Sequence, residues 1–272
     1  MKQYLLKSEP LAGKVEVTGK DFHYLIRVRR LKLGCSIPGF SPQGNRYILT
    51  LDKIGSDSCT FLALPGYPRN PSEDSNLIPK PGEVISINQD CSPPLNITLY
   101  QGLPKGSKMD KIVRMAIESG ASRIVPLKSR HCIVKLEGKA IEPKIQRWRK
   151  IATEAAQQSG ALCSPQIEPP LDISSIPTVR NNSSDSIGLL FHEKPLENSS
   201  LHRYLSGQFN NIALIIGPEG GFAGEEIDQM IQKGYHPIYL GKRVLRTETA
   251  GTYVLGAIQT IMLERGTWKP VL

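Results

Sequence analysis

The stretch Ile212-Ala213-Leu214-Ile215-Ile216-Gly217-Pro218-Glu219-Gly220-Gly221-Phe222-Ala223-Gly224-Glu225-Glu226 decides how the chain is read. An unbroken apolar run bounded by polar loops is the pattern of a strand buried on both faces, as in a parallel sheet. The chain then turns through glycines and a proline and places two glutamates where a helix N-terminus favours negative charge. Strand, glycine-rich turn and helix form the unit of an α/β domain, and in open α/β sheets ligands gather at the carboxyl ends of the strands. Gly217, Gly220 and Gly221 permit positive φ and close approach of backbone to a ligand. Glycine chemistry alone is equally consistent with a tight turn. The loop is neither the GxxxxGK[ST] phosphate cradle nor the GxGxxG dinucleotide fingerprint, which weakens both of those readings.

Outward from this unit the alternation repeats. Residues 95–100 read as a strand, and Ser107 reads as a helix N-cap with Asp110 as its capping-box partner. Met109, Ile112, Val113, Ala116 and Ile117 form that helix's apolar stripe, and Gly120 ends it. Residues 124–127 are a strand. A second helix is expected from about Pro143 to Gly160, with Ile145, Trp148, Ile151, Ala152, Ala155 and Ala156 on one side. Residues 187–191 repeat the buried-strand pattern, 225–232 a helix, and 237–240 a short strand. Thr247 opens a last helix with Ala250, Val254, Ala257, Ile258 and Ile261 inward. The fold class is α/β with a largely parallel sheet.

The first 68 residues differ. Runs at 47–51 and 59–64 are β-type, separated by breakers such as Ile54-Gly55-Ser56-Asp57. Residues 23–31 read as a short helix or strand approach carrying a basic cluster. A proline-rich polar stretch follows, from Pro65 to Asn76 and again at Pro79-Lys80-Pro81-Gly82. The expected organisation is a small, mostly β domain over 1–72, a linker at 73–79 and an α/β domain over 80–272.

Composition narrows the function. Of 272 residues, 39% are hydrophobic, enough for a sizeable core. The start, MKQYLLKSEP, has no apolar h-region, and no run approaches a membrane span, so a soluble, cytoplasmic protein is expected. The five cysteines contain no CxxC, and the five histidines form no ligand pair, so no metal is expected. Net charge is +9, and residues 102–150 alone hold thirteen Lys/Arg against four Asp/Glu, a surplus equal to the whole. Arg27, Arg29, Arg30 and Lys32 add a second cluster. Charge concentrated this way favours a nucleic-acid partner over a merely solvated face.

Three strand ends carry unusual loops: Leu190-Phe191-His192-Glu193, Gly217 to Gly221, and Leu240-Gly241-Lys242-Arg243-Val244-Leu245-Arg246-Thr247-Glu248-Thr249-Ala250. Thr247 suits a cap and Glu248 suits the helix dipole, but Arg246 is a cation at the wrong end of that dipole.

The pair GPEGGF (217–222) and LGKRVLRTETA (240–250) resembles the two signature loops of the RsmE family, 16S ribosomal RNA uridine N-3 methyltransferases of the SPOUT superfamily. LPKGSKMDKIVRMAIESGA (103–121), RWRKIATEAAQQSG (147–160), LFHEKP (190–195) and HYLIRVRRLKLG (23–34) also match, in the expected order over nearly the whole chain. The resemblance implies a PUA-like RNA-binding β-barrel followed by a SPOUT α/β domain with a trefoil knot. It implies S-adenosyl-L-methionine as cofactor, a homodimer, and a uridine of 16S rRNA, within the 30S subunit, as target. By this likeness the cofactor would lie against Leu190, Phe191, Gly217, Pro218, Glu219, Gly220, Gly221, Leu240, Gly241, Leu245, Arg246 and Thr247. Arg246 would stabilise charge developing on the uracil, with Glu219 or Glu248 as proton acceptor or as structural support. Arg27, Arg29, Arg30, Lys105, Lys108, Lys111, Arg114, Arg147 and Arg149 would contact RNA phosphate. The chain departs from the family at Ala223-Gly224, where a Ser/Thr helix cap is common, and at Arg27-Val28-Arg29-Arg30. A SPOUT enzyme acting on a ribose 2′-hydroxyl, and a non-catalytic RNA-binding or ribosome-assembly protein, are the alternatives.

Overall fold

A computed structural model describes residues 3–43, 45–65, 95–134, 136, 138–161, 164–179, 185–196 and 200–264. The expected linker at 73–79 lies outside the described residues, as do Cys91 and Cys163. The chain divides into two compact units, residues 1–92 with 157–164, and residues 93–156 with 165–272.

The first unit is built on a five-stranded sheet. Its strands are β1 (Tyr4–Leu5), β2 (Lys14–Thr18), β3 (Ser36–Phe40), β4 (Arg46–Ile54) and β5 (Ser58–Pro65), in the order β1-β3-β4-β5-β2. β1 runs parallel to β3 and the remaining pairs are antiparallel. Period-two alternation sends Leu49, Leu51 and Phe61 inward against Val17, Phe22 and Leu25. The stretch 23–31, open between helix and strand in the sequence, is helical as far as Val28: α1 (Gly19–Phe22) runs into a π-helical turn over His23–Val28. The Arg29 amide closes that turn on the Tyr24 carbonyl at 2.8 Å. The wider turn buries Leu25 and leaves Arg27, Arg29 and Arg30 exposed; π turns are rare and concentrate at functional sites. Arg30 takes a left-handed φ of 52°.

The second unit alternates strand and helix. In order these are β6 (Asn96–Gly102), α2 (Lys108–Glu118), β7 (Arg123–Lys128), α3 (Ile141–Ser159), β8 (Gln166–Ile167), β9 (Leu171–Asp172), β10 (Ser186–His192), α4 (Leu201–Tyr204), β11 (Asn211–Ile216), α5 (Gly224–Gln232), β12 (Tyr235–Tyr239) and α6 (Thr247–Glu264). The sheet order is β12-β10-β11-β6-β7-β8, with β9 also on β7, and every pairing is parallel. Its central strands are buried on both faces; Leu190, Ile215, Tyr100 and Leu127 pack with Phe222, Ile227 and Met230 in one core cluster.

Several local expectations are corrected. Ser107 is at the N-cap of α2, but its side chain makes no capping bond. Asp110 instead accepts from Arg147 Nε and Nη2 at 2.9 and 2.6 Å and from Trp148 Nε1 at 3.2 Å, tying α2 to α3. α3 starts at Ile141, two residues before Pro143, after a 3-10 turn over Gly138–Ala140. Along α6 the buried residues are Thr247, Gly251, Val254, Leu255 and Ile258, whereas Ala250, Ala257 and Ile261 are half-buried. The uncapped start of α5 is supported another way. Glu226 accepts from the Ala223 amide and from the Arg130 amide, both at 2.8 Å, supplying the glutamate half of a capping box.

Candidate active site

Register brings the carboxyl ends of four strands together. Phe191 pairs with both Ile216 and Ile238, and Ile216 also pairs with Gln101. The loops that leave these ends enclose a cleft of about 440 Å³, within the range of roughly 300–1,000 Å³ typical of small-molecule sites. Its walls are Phe191 to Glu193, the turn from Ile216 to Phe222, and Leu240-Gly241 with Arg243 to Thr247; Lys108 and Ala250 complete it.

Thr247 ties the glycine turn to α6 and both to β6. The buried Thr247 hydroxyl donates to the Gly217 carbonyl at 2.6 Å and accepts from Gln101 Nε2 at 2.8 Å. Gln101, fully buried on the central strand, also donates to the Gly102 carbonyl at 3.1 Å. The turn closes on Gly102: a Cβ there would stand 2.4 Å from Pro218. Gly221 takes a positive φ of 67°, and its amide donates to the Pro218 carbonyl at 2.9 Å. His131 hydrogen-bonds through Nδ1 to the Gly220 carbonyl at 3.0 Å, bracing the outer side of the turn.

Charge gathers on one side of the cleft. Glu219 accepts from Lys108 Nζ at 2.7 Å and from the Lys105 amide at 3.2 and 3.3 Å. Burial works to raise the Glu219 pKa, but the Lys108 hydrogen bond and backbone donors outweigh it, and the carboxyl is held below its ordinary range. The same hydrogen bond moves Lys108 upward. Lys108 Nζ also lies 3.8 Å from Glu248, whose Oε2 is buried with no hydrogen-bond partner among the described residues. Arg246 is exposed at the cleft, and its guanidinium forms no ion pair among the described residues.

Eleven of the twelve residues expected to line a cofactor cleft border this cavity. Leu190 does not. Adjacent strand residues point to opposite faces, so Phe191 reaches the cleft while Leu190 is fully buried in the core. Glu248, expected as a possible base, sits behind Lys108 and does not line the cavity. Lys108, expected at RNA phosphate, borders the cleft. Of the other expected phosphate contacts, Lys105, Lys111 and Arg114 have exposed side chains. Arg147 pairs with Asp110, and Arg149 lies 3.9 Å from Glu142 and donates to the Ile167 carbonyl. Gln101 was missed; a fully polar side chain near the end of a buried strand is the signal that marks it.

Comparison with known proteins decides the family. An RNA methyltransferase domain model matches residues 91–259, well over half the chain. A ribosomal RNA small subunit methyltransferase E from Synechocystis sp. is 31% identical over 255 residues, covering 93% of this chain and 75% of its own. The chain belongs to the ribosomal RNA small subunit methyltransferase E family. The Bacillus subtilis member is 28% identical over 253 residues, covering 91% of this chain and 90% of its own. Among solved structures, one described as a methyltransferase from Legionella pneumophila, with the cofactor SAM bound, superposes with a TM-score of 0.72. It is 25% identical and covers 95% of this chain and 97% of its own. The family match extends across β6 to α6, and so contains every loop of the cleft.

Proposed function

We propose that this chain transfers a methyl group from S-adenosyl-L-methionine to N-3 of a uracil in 16S ribosomal RNA, in the cytoplasm. The observation that carries the reading is the glycine-walled cleft at the sheet's carboxyl edge, in a chain of the small-subunit methyltransferase E family. The residues present fit the cofactor. Peptide groups of Gly217, Gly220, Gly221 and Gly241 form wall rather than side chains, suiting a flat ring. Phe191, Leu240 and Leu245 supply apolar surface. When bound, S-adenosylmethionine supplies an electrophilic methyl group on a sulfonium.

The chain's own residues have two tasks. The first is to orient the reactants and exclude water, which falls to the braced turn 217–221 and to Leu245-Arg246-Thr247. The second is to favour the uracil anion. N-3 lies on the Watson–Crick edge and carries a proton, so the base must be splayed out. Arg246, exposed at the cleft and unpaired among the described residues, stabilises the negative charge that deprotonation leaves on the uracil oxygens. Glu219 is held ionised by Lys108 and the Lys105 amide, so its role is to order the loop. Glu248 keeps an unbonded oxygen and is the better proton acceptor, reached through water.

Residues 1–72 are assigned as a PUA-like RNA-binding barrel and 80–272 as a SPOUT methyltransferase domain with a trefoil knot. The basic π turn supports the first, and the lacing of α6 to the glycine turn through Thr247 supports the second. Arg27, Arg29, Arg30, Lys105, Lys111, Arg114, Arg147 and Arg149 are proposed to meet phosphate, with the assembled 30S subunit as substrate. A homodimer is supported by α6, on which the exposed residues Thr249, Tyr253, Gly256, Thr260 and Leu263 form an uncharged stripe at heptad spacing that stops at Glu264. Deleting the gene in its own organism is expected to remove one 3-methyluridine from 16S rRNA. Wild-type chain should restore it and the Arg246→Ala variant should not; an unchanged rRNA in the deletion strain contradicts the reading.

A further inference from the structure

Sequence places Lys108 with Lys105 and Lys111 among solvent-facing cations, yet the fold takes it out of that group. Its side chain borders the cleft beside Arg246, and its ammonium is set between two carboxylates on different segments, Glu219 of the glycine turn at 2.7 Å and Glu248 of α6 at 3.8 Å. Only the first is a hydrogen bond, so among the described residues one of three N–H donors is committed and two remain to be directed. The side chain keeps 39% of its surface exposed, so it is reachable from the cleft. An ammonium held by two carboxylates stays protonated, and the charged groups acting on it are Glu219, Glu248 and the repelling Arg246.

We infer that Lys108 is a catalytic residue, donating a hydrogen bond to a uracil oxygen beside N-3, and not an RNA phosphate anchor. The inference rests on the proposed uracil N-3 chemistry and deepens it. In the step concerned the N-3–H bond breaks, its electron pair stays on the ring and spreads onto the flanking oxygens, and the proton passes through water to Glu248. Lys108 neither gains nor loses a proton. Together with Arg246 it offers the anion two fixed cationic donors, and Glu219 holds the ammonium where the base arrives. A phosphate anchor needs neither a second carboxylate partner nor a place in the cleft wall.

The test compares wild type, Lys108→Met and Lys108→Arg on unmethylated 30S subunits, following kcat and KM across neutral to alkaline pH. Loss of one such donor is expected to lower kcat on the order of 100-fold at neutral pH. The rate of Lys108→Met should climb towards wild type as pH rises into the range where uracil ionises unaided. Lys108→Arg should keep most of the neutral rate. A substrate carrying 5-fluorouracil at the target, whose N-3 is more acidic, should rescue Lys108→Met at neutral pH. Three results overturn the inference: wild-type kcat in Lys108→Met, a change confined to KM for RNA, or a loss equal at every pH with weakened S-adenosylmethionine binding. A wild-type enzyme that forms no 3-methyluridine instead removes the proposed function on which it rests.

Discussion

Replacing Thr247 by valine removes one hydroxyl and almost no volume, yet that hydroxyl joins three separate parts of the chain. It donates to the Gly217 carbonyl at 2.6 Å and accepts from Gln101 Nε2 at 2.8 Å, at a residue only 5% exposed. In Thr247→Val the Gly217 carbonyl loses its donor and one Gln101 proton loses its acceptor. Gln101 cannot repair this by turning its amide, because valine offers neither donor nor acceptor. Each buried group left unpaired costs about 1–3 kcal/mol, so about 2–6 kcal/mol is expected in all. For a unit of this size that corresponds to a fall in Tm of roughly 4–24 °C. The glycine turn also loses its tie to α6, so S-adenosylmethionine affinity should fall at least about tenfold, or 1.4 kcal/mol. Thermal unfolding and calorimetric titration of Thr247→Val and Thr247→Ser report both effects, and the serine variant should retain most of each. A valine variant with a Tm within a degree of wild type and unchanged affinity would refute the reasoning.

Three other outcomes follow from the same geometry. Gly102→Ala should displace the glycine turn, since its Cβ would meet Pro218 at 2.4 Å and Gly217 at 2.9 Å; a stability loss of about 1–3 kcal/mol with weakened cofactor binding is expected from calorimetry. Glu219 has its pKa depressed in the folded state, so its contribution is complete above the ordinary glutamate range and is lost as pH falls through and below it. Acid unfolding of Glu219→Gln, followed by circular dichroism, should therefore be less steep there than that of wild type. RNA affinity, measured by filter binding, should drop steeply with salt, by about a hundredfold or more between roughly 50 and 200 mM; a flat response contradicts phosphate contact by the basic residues.

The strands of the second unit are legible because burial on both faces writes itself as unbroken apolar runs, as at 187–191 and 212–216. The cleft follows from them, since glycines and charged residues cluster where such runs stop. Side-chain partnerships across the sequence are another matter. Asp110 stands where a capping box expects an acid, but Arg147 and Trp148, 37 and 38 residues away, claim it. Lys108 looks like its neighbours until helix phase and the return of α6 set it between Glu219 and Glu248. The family likeness puts Leu190 beside Phe191 in the cleft, and strand alternation separates them. The π turn after α1 has no simple periodic signature, so residues 23–31 stayed open between helix and strand.

The most direct test of the central claim is methyl transfer from labelled S-adenosylmethionine to unmethylated 30S subunits and to naked 16S rRNA, followed by digestion and identification of the labelled nucleoside. The account predicts label in 3-methyluridine, with the assembled subunit the better substrate and Arg246→Ala inactive on both. Label in a 2′-O-methyl nucleoside would contradict the uracil chemistry, and cofactor binding without transfer to either RNA would contradict the enzyme itself.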